Sequence, residues 1–424
     1  MVRSKLSPYE IYGYFLIWTF GIFYSLYNVY LAGDLFDHSY SGDDFSNSWF
    51  GRKKDITDYE WANFIPFILY SLSPWILIHL AVTEFVRWTL VEAVPVCYLL
   101  ITSLFILSRF GLIVEIYFFC QVIFYFFILR LSSRILIWIF GIPLLLVSSF
   151  VIQEISDRYK ISNESYLLMV VSNGWMHLRC SSFCFDFIKN SKQKANWKDL
   201  ITMLGYCFYL PVFFIGPIIL YEDFSKAMML PFEKWSWKRV LDLFINLSRF
   251  LFWLVVTDFS LYFFYAHALQ YHIQEVERLG LWTLNGLGYF LGQFFCNKYI
   301  VLYGLAGTIA KAERYYAPPT PKCIARIHLY SETWRTFDVG YYSFLLKYMY
   351  IPLCGEKRNM TRKLSASFLC FCFVFIWHGM EISVFIWSLL NFIGITLEAV
   401  GRSVANSELY KSLQKKNIKS NKHS

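Results

Sequence analysis

The sequence predicts an all-α polytopic membrane protein with roughly ten to eleven membrane helices and re-entrant segments among them, and three observations carry that prediction. Of its 424 residues 57% are hydrophobic and only 16% charged, where a water-soluble chain carries about a quarter charged. The deficit is spread along the chain, as apolar runs separated by short polar connectors. The basic residues concentrate in those connectors, where they anchor and orient membrane segments.

Taken in order, the run 11–32 follows Arg3 and Lys5 and exceeds the apolar core of a cleaved signal peptide, so it reads as a retained signal anchor. Residues 33–61 turn acidic through Asp34, Asp37, Asp43 and Asp44, then basic through Arg52, Lys53 and Lys54, which places them at a membrane surface. Apolar runs follow at 64–82, 93–114, 115–131, 135–152, 166–187, 200–221, 240–267 and 281–306, with a last set at 341–353 and 364–400. The run 341–353 is too short to span and is expected to be re-entrant or interfacial. Backbone of that kind survives at membrane depth only with protein or a water-filled cavity around it, which places a cavity near residues 320–380. Residues 1–406 then form a single membrane domain. The tail 407–424, with Lys411, Lys415, Lys416, Lys419 and Lys422, is expected to be disordered or to lie on anionic lipid.

The net charge of +9 comes from 39 Lys and Arg against 30 Asp and Glu, but it sits at 52–54, 189–198, 357–363 and in the tail. Lipid head groups, not nucleic acid, are the partner this distribution fits. Ten cysteines are scattered, mostly inside apolar runs, as at Cys97, Cys120, Cys207, Cys296, Cys370 and Cys372. They show neither metal-ligand spacing nor a disulfide framework and read as small buried hydrophobes.

Three features carry chemistry. Phe375-Ile376-Trp377-His378-Gly379 puts a histidine near the end of an apolar run, where an ionisable group is costly and either functional or held by one backbone carbonyl. His79 and His267 also lie in or near apolar runs and read as structural. The stretch 331–340 places Trp334, Arg335 and Asp338 just before the short segment; Trp334 and Asp338 are four apart, one face of a helical turn, though an interface belt has the same composition. Tyr209-Leu210-Pro211, then Gly216-Pro217 and Phe224, interrupts a helical run, either as a kink or as the opening of a tunnel.

With these residues the chain resembles the membrane-bound O-acyltransferase superfamily, which pairs an intramembrane Trp-His-Gly histidine with an upstream polar residue, here Asp338. Within it the resemblance is strongest to the protein-cysteine N-palmitoyltransferases, the hedgehog acyltransferases. Residues 50–61, 318–323, 334–352 and 373–398 carry it, in order and over most of the chain. Two departures stand out: Phe214-Ile215 replaces the usual His-Asn before Gly-Pro, and the chain ends 46 residues after His378, where the family continues through further membrane segments.

The resemblance implies helices around an acyl tunnel in a multi-pass protein of the endoplasmic reticulum membrane, with the Golgi membrane as the alternative. It implies palmitoyl-CoA as donor and the N-terminal cysteine of a hedgehog precursor as acceptor. His378 and Asp338 would be catalytic, Trp334, Arg335 and Asn391 would bind substrate, and Cys323 would ligate haem b, with no other metal. An α-amino group of pKa about 7.7–8.0 is mostly protonated at neutral pH, and a histidine of pKa near 6.5 can take its proton. Alternatives are an O-acyltransferase for another secreted protein or a lipid, and a catalytically silent relative; loss of the base would mark the latter, and His378 is present.

Overall fold

The computed structural model describes residues 6–39, 43–47, 51–191, 193–356, 359–408, 410 and 412. Helix α1 (Pro8–Ser39) precedes a two-residue antiparallel pairing of β1 (Phe45–Ser46) with β2 (Lys54–Asp55). Next come α2 (Tyr59–Pro66) and α3 (Ser73–Thr89), joined by a π-helical turn (Phe67–Leu72). Helices α4 (Val94–Arg109), α5 (Leu112–Leu129), α6 (Arg134–Tyr159), α7 (Asn163–Asn190) and α8 (Trp197–Cys207) follow. After an irregular stretch come α9 (Tyr221–Met228), α10 (Trp237–Ser260), α11 (Ala266–Tyr271), α12 (Ile273–Val276) and α13 (Leu281–Ala312). The last elements are α14 (Tyr330–Thr336), α15 (Val339–Leu345), a second π-helical turn (Leu346–Tyr350), α16 (Ile351–Cys354), α17 (Met360–Trp377) and α18 (Ile382–Asn406).

Among the described residues 8 segments are long and apolar enough to cross a membrane: one in α1, one formed by α2 and α3 together, and those of α4, α5, α6, α10, α17 and α18. The sequence predicted more: the run 281–306 forms the continuous helix α13, which is not among the 8, and two observations explain the runs 166–187 and 200–221. Helix α7 is long, but Asn173, His177, Arg179 and Asp186 break its hydropathy; residues 172–186 are all buried, so protein and not lipid surrounds it. The run 200–221 is not one helix. Helix α8 stops at Cys207, and residues 208–220 pass through a single 3-10 turn (Leu210–Val212) into extended backbone, all of it buried. The predicted short segment does form: α15 through α16 fall short of the roughly 20 residues a span requires. Of the named cysteines, Cys97, Cys207, Cys296 and Cys370 are buried as expected, whereas Cys120 is exposed and Cys372 half-buried. The basic-tail reading falls on 409, 411 and 413–424, outside the described residues.

The chain separates into two compact units. The first takes the described residues of Met1–Pro74, Val240–Leu305 and Cys323–Ala325. Its polar stretch before α2 is a clasp. Lys54 pairs with Asp258 at 2.6 Å, and Asp258 also accepts the Trp61 indole N–H at 3.0 Å. Asp55, fully buried, accepts the backbone N–H groups of Thr57, His267 and Ala268, each at 3.0 Å. Burial still pushes its carboxyl above the ordinary range. Asp58 caps α2 through Trp61 N at 2.7 Å and, with Glu60, holds the buried Lys298 of α13 at 2.8 Å each. Resemblance residues 51–61 thus have a structural role; Phe50 is outside the described residues.

The second unit takes Trp75–Arg239, Ala306–Lys322 and the described residues of Arg326–Ser424. Asn173 of α7 ties two helices together, accepting from Tyr117 of α5 at 2.7 Å and donating to Ser148 of α6 at 2.8 Å. Glu313, fully buried, accepts from Tyr209 at 2.6 Å, Thr83 at 3.1 Å and Tyr98 at 3.5 Å, with His79 Nε2 at 3.1 Å. Arg87 donates to the Tyr98 and Tyr315 hydroxyls at 2.8 and 3.2 Å, and Phe224 stacks on Tyr315 at 4.3 Å. Tyr209 and Phe224, singled out in the sequence, therefore anchor the irregular stretch to a buried polar hub. His79, expected to be structural, is fully buried against Glu313. Lys347 fastens the short segment to Asp186 at 2.7 Å and to Glu222 at 2.6 Å; its hydrogen bond holds the Glu222 carboxyl below its ordinary range.

Candidate active site

The Trp-His-Gly sequence is a helix end. Gly379 N donates to Ile376 O and Met380 N to Phe375 O, both at 3.2 Å, the paired bonds of a Schellman cap, with His378 as the C-cap residue of α17. Gly379 sits at φ +97°, and a Cβ there would meet nothing within 4 Å, so the position selects glycine for its backbone conformation. The cap ends α17 and leaves His378 exposed.

Aromatic rings fix what surrounds it. The imidazole lies edge-on to Trp377, with ring centroids 4.8 Å apart, and to Trp387 at 5.6 Å. Trp377 donates its indole N–H to Gly174 O at 3.0 Å, stacks on Tyr341 at 4.8 Å and packs on Trp175 at 5.2 Å. Trp334 donates to Asn391 Oδ1 at 3.0 Å and packs on Phe371 and Trp387 at 4.9 and 5.5 Å. Asn391 in turn donates to Trp387 O at 2.8 Å, which orients its amide. Helix α14 lies along α18, where Tyr330 abuts Gly394, Ser331 N approaches Glu398 at 3.4 Å and Arg402 reaches Ser331 at 3.1 Å. The α18 positions 387, 391, 394, 398 and 402 share one face by helical spacing.

The structure thus gathers three sequence-predicted residues, Trp334, His378 and Asn391, around Trp387. Asp338 departs from its expected place. It does not share a helical face with Trp334, because α14 ends at Thr336 and Asp338 is the N-cap of α15, accepting Tyr341 N at 2.8 Å. A carboxylate at that position satisfies an otherwise orphan backbone N–H, which a continuing helix would not require. No hydrogen bond joins Asp338 to His378; the capped Tyr341, stacked on Trp377, brings their two turns together. Arg335 is exposed, as are Arg362 and Lys363 of the basic connector, while Lys357 and Arg358 lie outside the described residues.

Trp387, Tyr341 and Gly174 were not singled out from the sequence. Trp387 precedes Asn391 by one helical turn, a spacing that would have paired them. The role of Gly174 has no local sequence signal, since it acts through a carbonyl. An imidazole walled by indoles, with no hydrogen-bond partner among the described residues and on a turn adjoining that of Asp338, has the chemistry to take a proton from a bound nucleophile.

Cys323 belongs to the first unit. Gln293 donates to its sulfur at 3.4 Å, and Ile324 beside it packs onto α13, 3.2 Å from where a Gly292 Cβ would stand. A half-buried thiol on a segment packed tightly to a helix is not the flat apolar cradle a porphyrin needs. Haem ligation by Cys323 therefore finds no support in this structure.

A model of the membrane-bound O-acyltransferase family (MBOAT) matches residues 122–421. The protein-cysteine N-palmitoyltransferase Rasp of Drosophila melanogaster is 31% identical over 412 residues, covering 94% of this chain and 79% of the relative. The protein-cysteine N-palmitoyltransferase HHAT of Mus musculus is 30% identical over 369 residues, covering 82% and 72%. The membrane-bound O-acyltransferase GUP1 of Millerozyma farinosa is 27% identical over 218 residues, covering 49% and 40%. With its helical membrane fold and a Schellman-capped Trp-His-Gly turn among indoles, the chain belongs to the membrane-bound O-acyltransferase family.

Proposed function

We propose that this protein transfers a palmitoyl group from palmitoyl-CoA to the N-terminal cysteine of a hedgehog-type secreted protein at the endoplasmic reticulum membrane, with His378 as general base. The observation that carries this reading is the gathering of Trp334, His378 and Asn391 around Trp387, in a chain similar over 94% of its length to a protein-cysteine N-palmitoyltransferase.

The α-amino nitrogen of the cysteine attacks the thioester carbonyl carbon. A C–N bond forms, the C–S bond breaks, and CoA leaves as a thiolate. The proton lost by the amine passes to His378 and from there to the thiolate. Asp338, on the turn whose Tyr341 packs against Trp377, favours the imidazolium that forms in between. Trp334, held by Asn391, walls the site. Arg335 and the connector 357–363 take the CoA phosphates.

The test offers labelled palmitoyl-CoA and a peptide beginning with cysteine to the purified protein and to its His378→Ala variant. Hydroxylamine-resistant label that depends on His378 is expected. Hydroxylamine-labile label would move the reading to ester or thioester formation, and no label from folded protein would overturn acyl transfer to such a peptide.

A further inference from the structure

We propose that Glu398 of α18 is a positioning residue for the site: it caps α14 from a neighbouring helix and so sets where Trp334 stands. The kinetic consequence rests on the acyl-transfer reading above; the structural one stands without it.

Helix α14 has little of its own to hold it. None of its residues is fully buried, and its N-cap residue, Leu329, has no side-chain oxygen to accept a backbone N–H. Glu332 N and Thr333 N turn back to Leu329 O at 3.0 and 3.1 Å. The Ser331 N–H is answered from α18 instead, where Glu398 Oε2 accepts it at 3.4 Å. Arg402, one turn further along α18, lies 3.4 Å from the same oxygen and donates to the Ser331 hydroxyl at 3.1 Å.

Glu398 and Arg402 are the only charged residues of α18, a helix apolar enough to cross a membrane. A carboxylate in such a helix is costly unless it is paired, and the Glu398 side chain is only 14% exposed. Along the face that meets α14, Asn391 accepts the Trp334 indole N–H at 3.0 Å, and Gly394 leaves room for Tyr330, whose ring would lie 2.6 Å from a Cβ there. Glu398 and Arg402 then hold Ser331. Trp334 follows Ser331 by one helical turn, so that turn is fastened at both ends, by Asn391 and by Glu398. Without Glu398 the indole hangs from one hydrogen bond on a turn free to pivot. Trp334 packs on Trp387, and Trp387 on His378, so the pivot displaces the wall beside the imidazole.

The full chain in lipid bilayers, labelled with ¹⁵N at the tryptophan indoles, tests the proposal by NMR. Trp334 is the signal lost in Trp334→Phe or, if that variant does not fold, the signal shifted in Asn391→Ala. It is expected to move in Glu398→Leu, or in Glu398→Ala if the leucine variant does not fold, and to return in Glu398→Gln, whose amide oxygen can still accept the Ser331 N–H. In the same preparations KM for palmitoyl-CoA should rise about tenfold in Glu398→Leu with a smaller change in kcat. Partial unfolding would lower kcat alone. An unmoved signal in the folded variant, or one moved equally in Glu398→Gln, would overturn the capping role, and a moved signal with the parent KM would overturn its link to the site. No transfer by the parent would sink the acyl-transfer reading, and the indole signal alone would then decide whether Glu398 sets Trp334.

Discussion

Replacing Tyr209 by Phe removes a single oxygen from the interior of the second unit. The ring would keep its contacts with Tyr98 and Tyr315, both at 4.9 Å, and with Phe224 at 5.1 Å, so the change opens no cavity beyond the hydroxyl itself. What is lost is the 2.6 Å hydrogen bond to Glu313. Hydrogen bonds between helices in membrane proteins average about 0.6 kcal/mol, but one to a charged acceptor contributes about 1.5–3 kcal/mol. Glu313 retains Thr83, Tyr98 and His79, so the loss should not exceed that single bond. The expected destabilisation is therefore about 1.5–3 kcal/mol, a shift of roughly 10- to 150-fold in the unfolding equilibrium. Reversible denaturant unfolding of the purified chain would measure it. A double-mutant cycle with Thr83→Val should show coupling, since both hydroxyls serve one carboxylate. A variant within about 0.5 kcal/mol of the parent, with additive effects in the cycle, would refute the view that this hub holds the irregular stretch 208–220 in place.

A Cβ at Gly174 would stand 3.2 Å from the Trp377 indole nitrogen, so Gly174→Ala should displace that ring by a few tenths of an ångström and His378 with it. On the proposed function, palmitoyl transfer is expected to lose about tenfold in kcat with little change in KM for the CoA ester, since a small misplacement of the proposed base is costly; an unchanged kcat would separate Trp377 from the positioning of His378. The Lys347 hydrogen bond holds the Glu222 carboxyl below the 4.5 of a free side chain. A lowered carboxyl stabilises the fold above its unfolded pKa and loses that contribution as pH falls through the folded one. Glu222→Gln should therefore be less stable than the parent at neutral pH, with the gap closing as pH drops below 4.5 in unfolding titrations. A gap that stayed constant with pH would contradict the pairing with Lys347.

Much of the architecture is legible in the amino-acid sequence alone. Apolar runs of spanning length select which segments leave water, because a helix is the local way to satisfy a backbone there. The short run at 341–353 reads correctly as too brief to cross. Local sequence singles out Trp334 and His378, the family resemblance adds Asn391, and a helix-ending glycine after His378 is a local signal for the cap that presents it. Other parts depend on partners that no window of sequence contains. The run 200–221 is apolar enough for a helix, but Tyr209 is drawn to Glu313, 104 residues away, and the backbone between Cys207 and Tyr221 follows an irregular path instead. Asp338 looks four residues from Trp334 on one face, yet it caps a new helix, because its carboxylate meets a free backbone N–H there. Hydropathy and short-range spacing are properties of neighbouring residues, so they determined the membrane fold and the motif. The partner of a buried polar group is chosen by whichever helix packs against it, so the Glu313 hub, the hold of Gly174 on Trp377 and the role of Trp387 between His378 and Trp334 were decided only in three dimensions.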